Sequence, residues 1–213
     1  VIISEGKEYE DGKNLTTDKL YSIIRESKKV PSTSQPSVGT FESLYEQLQE
    51  EYESAIAIHV SKKLSGTFAN SVAAKNQTGF SVEVIDSASL SYSITMLIEK
   101  GLELASQGVG AASIAETLRQ DVKKSRNLIL LGSLEQLYKG GRMSGAQFLL
   151  GNVLNIKPIL QIDNNGELGL FQRIRSESKA VTKIVELVEK SYQNHSFQKL
   201  GIMHGNVLDK AKE

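Results

Sequence analysis

The sequence predicts an α/β chain, with a parallel-sheet domain over residues 1–150 and part of a second, α+β domain with antiparallel strands over residues 151–213. Three observations carry this. Apolar runs at 55–60, 82–85 and 127–131 alternate with segments of helical period, as in strands joined by helical crossovers. After about residue 150 the alternation stops: Ile159 to Ile162 and Leu168 to Arg175 flank Asp163-Asn164-Asn165-Gly166, and Asn-Gly is a favoured hairpin turn. The 213 residues, 39% hydrophobic and 23% charged, suffice for a buried core and exclude disordered and fibrous classes.

The elements follow in order. Val1 to Ile3 is a short apolar run closed by the Glu5-Gly6-Lys7 turn, and Tyr9 to Gly12 is a second turn. Thr17-Asp18 opens a helix with Leu20, Tyr21 and Ile24 at helical spacing. The uncharged stretch Val30 to Ser37 is a loop feeding an amphipathic helix with Phe41, Leu44, Tyr45 and Leu48 on one side. The run 55–60 is a strand, followed by Ser61 to Thr67 and a helix from Phe68. The run 82–85 closes at Asp86-Ser87. A long helix with Met96, Leu97, Leu102 and Leu104 follows, with a break expected near Gly101. Residues 114–122 form another helix, and 127–131 a third strand. A helical segment then reaches Tyr138 and meets Lys139-Gly140-Gly141-Arg142. After the hairpin come a helix over 178–192 and a strand over 200–203. The chain starts at Val1 rather than Met and stops in the charged run from Leu208 to Glu213, so both ends read as cut.

Charge and composition narrow the function. With 25 Lys+Arg against 25 Asp+Glu there is no global positive field of the kind that non-specific nucleic-acid binding requires. No cysteine means no disulfide, thiolate chemistry or thiolate-held zinc, which fits a reducing cytosol. No run approaches the ~18 apolar residues of a membrane span.

Ligands of parallel α/β sheets bind outside the carboxyl ends of the strands. Here those ends carry hydroxyls and a carboxylate: Ser61 and Ser65 after one strand, Asp86, Ser87 and Ser89 after the next, Ser133 after the third. Thr33 and Ser34 precede another helix start. Helix N-termini suit anions, and hydroxyls there can donate to a carboxylate or phosphate. Taken singly, each is more often a helix cap. Ser65-Gly66-Thr67 is the exception, because its glycine admits close approach of a ligand and its hydroxyls flank one spot. Lys139-Gly140-Gly141-Arg142 reads equally as a phosphate or partner grip and as a helix C-cap. Arg173 and Arg175 share one strand face, which serves an anion or, more often, faces solvent. His59 reads as structural, His195 as exposed, and His204 as the end of a strand. No hydrolase elbow, phosphate loop or paired-histidine metal motif occurs, so the residues alone favour binding over catalysis.

Five motifs occur together in order: Thr33-Ser34-Gln35-Pro36-Ser37, Leu64-Ser65-Gly66-Thr67-Phe68, Val84-Ile85-Asp86-Ser87, Lys139-Gly140-Gly141-Arg142-Met143-Ser144 and Asn155-Ile156-Lys157-Pro158-Ile159-Leu160. In this combination the chain resembles the DegV family of bacterial fatty-acid-binding proteins (the FakB type) over essentially its whole length. The resemblance implies a cytoplasmic, two-domain protein with a Rossmann-like parallel sheet domain. It implies one long-chain fatty acid in a tunnel between the domains, which a partner fatty acid kinase converts to acyl phosphate. By motif match, Thr33 and Ser65 hydrogen-bond the carboxylate, with Ser34, Gly66, Thr67 and Arg175 also at the ligand. Arg142 and Arg173 meet the phosphate or the kinase. No metal or cofactor is implied beyond the fatty acid itself. Three departures stand out. The opening strand ending in Thr-Asp-Ser and the late glycine-proline-glycine loop with its histidine are absent from the chain. The stretch Ser89 to Ser93 replaces a glycine-rich one, where Tyr92 would narrow the tunnel or alter chain preference. Two other readings stand beside the carrier: an acyl hydrolase or transferase using Ser65 as nucleophile, and a non-lipid scaffold.

Overall fold

The computed structural model describes residues 1–10, 12–27, 30–143, 156–197 and 199–212. Ser144 and Asn155 of the motifs, the expected division at residue 150 and the terminal Glu213 lie outside them.

The chain begins with a hairpin, β1 (Ile2–Ser4) and β2 (Lys7–Tyr9). Helix α1 (Thr17–Glu26) is capped by Thr16, whose hydroxyl accepts the Lys19 N–H at 3.3 Å. Strand β3 (Ser32–Thr33) pairs antiparallel with β1. Helix α2 (Val38–Gln49) starts at Ser37, whose hydroxyl accepts the Thr40 N–H at 3.1 Å just after Pro36.

Strands β4 (Ala55–His59) and β5 (Val82–Asp86) pair in parallel, from Ala55 opposite Val82 to His59 opposite Asp86. Helix α3 (Thr67–Thr78) makes the crossover and ends on Gly79 at φ +70°, the left-handed C-cap. Side-chain alternation sorts the pair into two faces. Ala55, Ala57, Val82 and Val84 pack with Phe41, Tyr45, Ala74 and Phe80 under α2 and α3. Ile56, Ile58 and Ile85 pack with Leu97, Ile114, Ala115 and Leu118 under α4 (Tyr92–Ser106) and α5 (Ala111–Asp121). Helices therefore cover both faces, as expected. Helix α4 runs unbroken through Gly101, which faces Leu118 and Ile114 of α5 at van der Waals distance.

Strand β6 (Leu128–Leu130) does not extend this parallel pair. It pairs antiparallel with β7 (Lys157–Ile162), which forms the expected hairpin with β8 (Leu168–Ile174). An apolar run announces a buried strand but not its partner, which is why the sequence placed 127–131 in the parallel sheet. Pro158 is tolerated because β6 pairs only with Ile159 to Gln161. Helix α6 (Glu135–Lys139) precedes the Gly140-Gly141 turn. Leu134, Met143, Leu160, Ile162 and Leu168 form a third apolar cluster, with Leu64 and Leu90 of the parallel unit packed against it.

Helix α7 (Glu177–His195) starts at Ser176, whose hydroxyl accepts the Lys179 N–H. The expected strand at 200–203 is not formed: Leu200, Ile202 and Met203 lie exposed in an extended segment. Gly201 lies against the Tyr92 ring, and Lys199 pairs with Glu99 at 2.6 Å. Tyr92 thus abuts this segment. Helix α8 (Leu208–Lys212) follows. Among the described residues, no helix is long and apolar enough to cross a membrane.

Candidate functional site

The hydroxyls at the strand ends fall into two groups. Ser61, Ser87 and Ser89 are buried and engaged with the protein. Ser61 Oγ donates to the Gly166 carbonyl at 2.7 Å and accepts the Lys63 N–H at 3.2 Å. Ser87 Oγ donates to the Ser89 carbonyl, and Ser89 Oγ accepts from Asn127 Nδ2. Asp86 Oδ1 accepts from the Lys62 and Ala88 N–H groups, so it orders its own loop. Ser133 Oγ accepts the Glu135 N–H at the start of α6. The Gly166 turn reaches Ser61 in a defined shape because Asp163 Oδ1 accepts the Asn165 and Glu167 N–H groups, both at 2.9 Å. Those bonds, the Glu167 one first, hold the Asp163 carboxyl below its ordinary range.

The other group is open. Ser65 Oγ and Thr67 Oγ1 lie 2.8 Å apart, and Ser65 Oγ also accepts the Thr67 N–H at 3.3 Å. Ser65, Gly66 and Thr67 are half-buried at the N-terminus of α3, whose dipole end favours an anion. Gln35 and Pro36, which follow Thr33 and Ser34, contact this turn and α3. The Gln35 amide sits so close to Gly66 that an added Cβ would stand 2.3 Å from Nε2, and Asn70 Nδ2 of α3 donates to the Pro36 carbonyl at 2.7 Å. A Cβ at Gly66 would displace the end of the Gln35 side chain. Thr33 and Ser34 are exposed, and the Ser34 N–H donates to the Val1 carbonyl.

Arg142 joins the same place from the far side of the chain. Its Nε donates to the Leu64 carbonyl at 3.0 Å and its Nη1 to the Gly140 carbonyl at 2.5 Å. The Gly-Gly turn is at once a helix ending, with Gly141 at φ +74°, and the support of this arginine. Leu64 continues into the third apolar cluster, so the hydroxyl turn stands at the edge of an apolar region. Arg173 and Arg175 line a groove of about 360 Å³ of their own, together with Lys179, Lys183 and Glu186 of α7. The sequence reading missed both lysines, although they recur at helical spacing after Arg175. It also missed the work of Gln35, which lies inside a quoted motif.

His59 ends β4 with its Nε2 buried and without a hydrogen-bond partner among the described residues. Its ring meets Phe41 edge-on at 5.4 Å, and burial pulls its pKa below the ordinary 6.5. His204 Nδ1 accepts the Val207 N–H. Among the described residues no group of His, Asp or Glu could hold a metal ion.

Comparison with known proteins places this arrangement. A DegV domain-containing protein of Listeria monocytogenes is 33% identical over 213 residues, covering 99% of this chain and 75% of the relative. A DegV domain-containing protein of Staphylococcus aureus is 33% identical over 205 residues, covering 96% and 73%. The crystal structure of a fatty acid binding DegV family protein from Streptococcus agalactiae superposes with a TM-score of 0.91 at 28% identity, covering 99% of this chain and 75% of that one. DegV of Bacillus subtilis, described as a fatty acid binding protein, superposes with a TM-score of 0.84 at 28% identity over the same shares. The family model for uncharacterised DegV proteins matches residues 1–213, and on that whole-length match, with these relatives, the chain belongs to the DegV family.

Proposed function

We propose that this chain is a carrier that binds a long-chain fatty acid, holds its carboxylate with Thr33 and Ser65, and presents it to a partner kinase that forms the acyl phosphate. The observation that carries this reading is the contact of the Gln35 amide, two residues after Thr33, with Gly66 at the N-terminus of α3, where the preceding Leu64 packs against the third apolar cluster. A carboxylate needs such donors, and an acyl tail needs such a cluster. Each buried CH₂ contributes about 0.8 kcal/mol, so the tail supplies most of the affinity and the hydroxyls fix orientation. Similarity to DegV structures described as fatty acid binding supports the ligand class.

In this reading Ser34, Gly66 and Thr67 complete the carboxylate end, Arg175 is assigned to the ligand by motif match although it lines a separate groove with Arg173, and the tail lies between the β4–β5 unit and a second unit containing the β7–β8 hairpin. Arg142 at the hydroxyl turn and Arg173 in its own groove face the phosphate or the kinase, and Lys179 and Lys183 share the Arg173 groove. The carrier works in the cytoplasm with no cofactor other than its lipid. The competing use of Ser65 as a nucleophile requires a base on Oγ; the bonds of that oxygen run to the hydroxyl and N–H of Thr67.

Organic extraction of the purified protein followed by mass spectrometry of the extract tests the proposal. One fatty acid per chain is the expected result. No lipid in the extract, and none taken up from added oleate, overturns it.

A further inference from the structure

The peptide unit joining Leu64 to Ser65 is held at both of its polar atoms. Its N–H donates to the Ser61 carbonyl at 3.1 Å, inside the turn that follows β4. Its carbonyl accepts Arg142 Nε at 3.0 Å, from a residue 78 positions away. Fixing both ends of one peptide plane fixes the Ser65 N–Cα bond and leaves rotation about it, which the bonds of Ser65 Oγ to Thr67 restrain. The second Arg142 bond, from Nη1 to the Gly140 carbonyl, ties the guanidinium to its own turn. A guanidinium is a rigid planar fork, so these two bonds set one angle between the two chain segments. A lysine ammonium is a point donor on a flexible stem and sets no such angle.

Both partners of this clamp are rooted in the same apolar cluster. Met143, the residue after Arg142, is 4% exposed within it, and Leu64 packs against it. Arg142 therefore connects the apolar cluster to the hydroxyl turn through two short covalent links.

We propose that Arg142 is a positioning residue: it orients Ser65, and through Ser65 the Thr67 hydroxyl, toward the carboxylate of the bound lipid. This rests on the carrier reading and gives Arg142 work in the isolated protein, before any partner arrives. A residue that serves only a phosphate or a kinase would leave lipid binding unchanged.

The test compares wild type with Arg142→Lys and Arg142→Gln in the isolated chain. Release of oleate and of oleyl alcohol is measured, together with hydrogen exchange of the Ser65 amide. The expected result is oleate release about tenfold faster, the loss of roughly one charge-assisted hydrogen bond's worth of orientation. Oleyl alcohol, which carries no charge for the hydroxyls to read, leaves at the wild-type rate, and the Ser65 amide exchanges faster. Unchanged oleate release with unchanged exchange overturns the inference. Equal weakening of acid and alcohol also overturns it, since that marks a general loss of structure. If wild type binds neither lipid the carrier reading falls, while faster Ser65 exchange in the variants would still show Arg142 holding the turn.

Discussion

Ser61 and Ser65 stand four residues apart in the loop that leaves β4, yet they have opposite fates. The Gly166 turn lies over Ser61, leaving it 0% exposed with its hydroxyl committed to the Gly166 carbonyl and the Lys63 N–H. Ser65 is half-buried, and its hydroxyl bonds Thr67 two residues on. A serine hydroxyl offers one donor and two acceptor positions. Where another part of the chain covers it, those positions are filled in folding; where none does, some remain for a ligand. Placement at a strand end nominates both residues, and burial separates them.

The comparison breaks first at Gly166. Its φ of +80° and a virtual Cβ 2.3 Å from Ser61 Oγ and 3.1 Å from Ala88 Cα leave no room for a side chain. Gly166→Ala should cost about 3 kcal/mol or more, read as a lowered urea midpoint. A midpoint at the wild-type value would mean the junction bears no load. Ser61→Ala leaves a buried carbonyl unpaired and should cost about 1–3 kcal/mol while oleate affinity stays at the wild-type value. Ser65→Ala sharpens the contrast from the other side. It should cost under about 1 kcal/mol of stability, since only the local bonds to Thr67 are lost, yet weaken oleate relative to oleyl alcohol. Equal stability losses in the two serine variants would erase the distinction.

Ser91→Gly has a smaller effect, of opposite sign. Ser91 sits at φ +58° and ψ −133°, where glycine suits better. The variant should gain about 1 kcal/mol in denaturant unfolding. His59 adds a pH dependence of known sign. Because burial holds its folded pKa below 6.5, the unfolded chain binds more protons in mildly acidic solution. Stability should therefore fall as pH drops below 6.5 toward the folded pKa, and His59→Phe should flatten that slope. An unchanged slope would assign the acid sensitivity elsewhere.

Local patterns were legible in the sequence wherever one segment decides the outcome. The Asn165-Gly166 hairpin, the start of α2 after Pro36 and the two-faced β4–β5 pair all follow from residues in direct succession. What depends on a distant partner was not legible. The apolar pattern at 128–130 does not say that its neighbour is β7, and Leu200 to Met203 read as a strand although nothing pairs with it among the described residues. Gly101 looked like a break because its packing against Leu118 comes from another helix. In the site, the Thr-Ser-Gln-Pro-Ser and Ser-Gly-Thr motifs were visible, but the Gln35–Gly66 contact that joins them was not. The bond from Arg142 to Leu64 crosses 78 residues and leaves no local trace.

The bond from Ser61 to Gly166 spans 105 residues, whereas the Lys62–Asp86 contact beside it spans 24. Loop-closure entropy grows with the logarithm of length, so the longer contact costs about 1 kcal/mol more to bring together. The β4–β5 pair, with its crossover helix between, is thus the easier nucleus, and the hairpin turn is expected to dock onto it later in folding. Until it docks, the Ser61 hydroxyl is without its Gly166 partner, and the difference between the two serines is expected to arise late in folding.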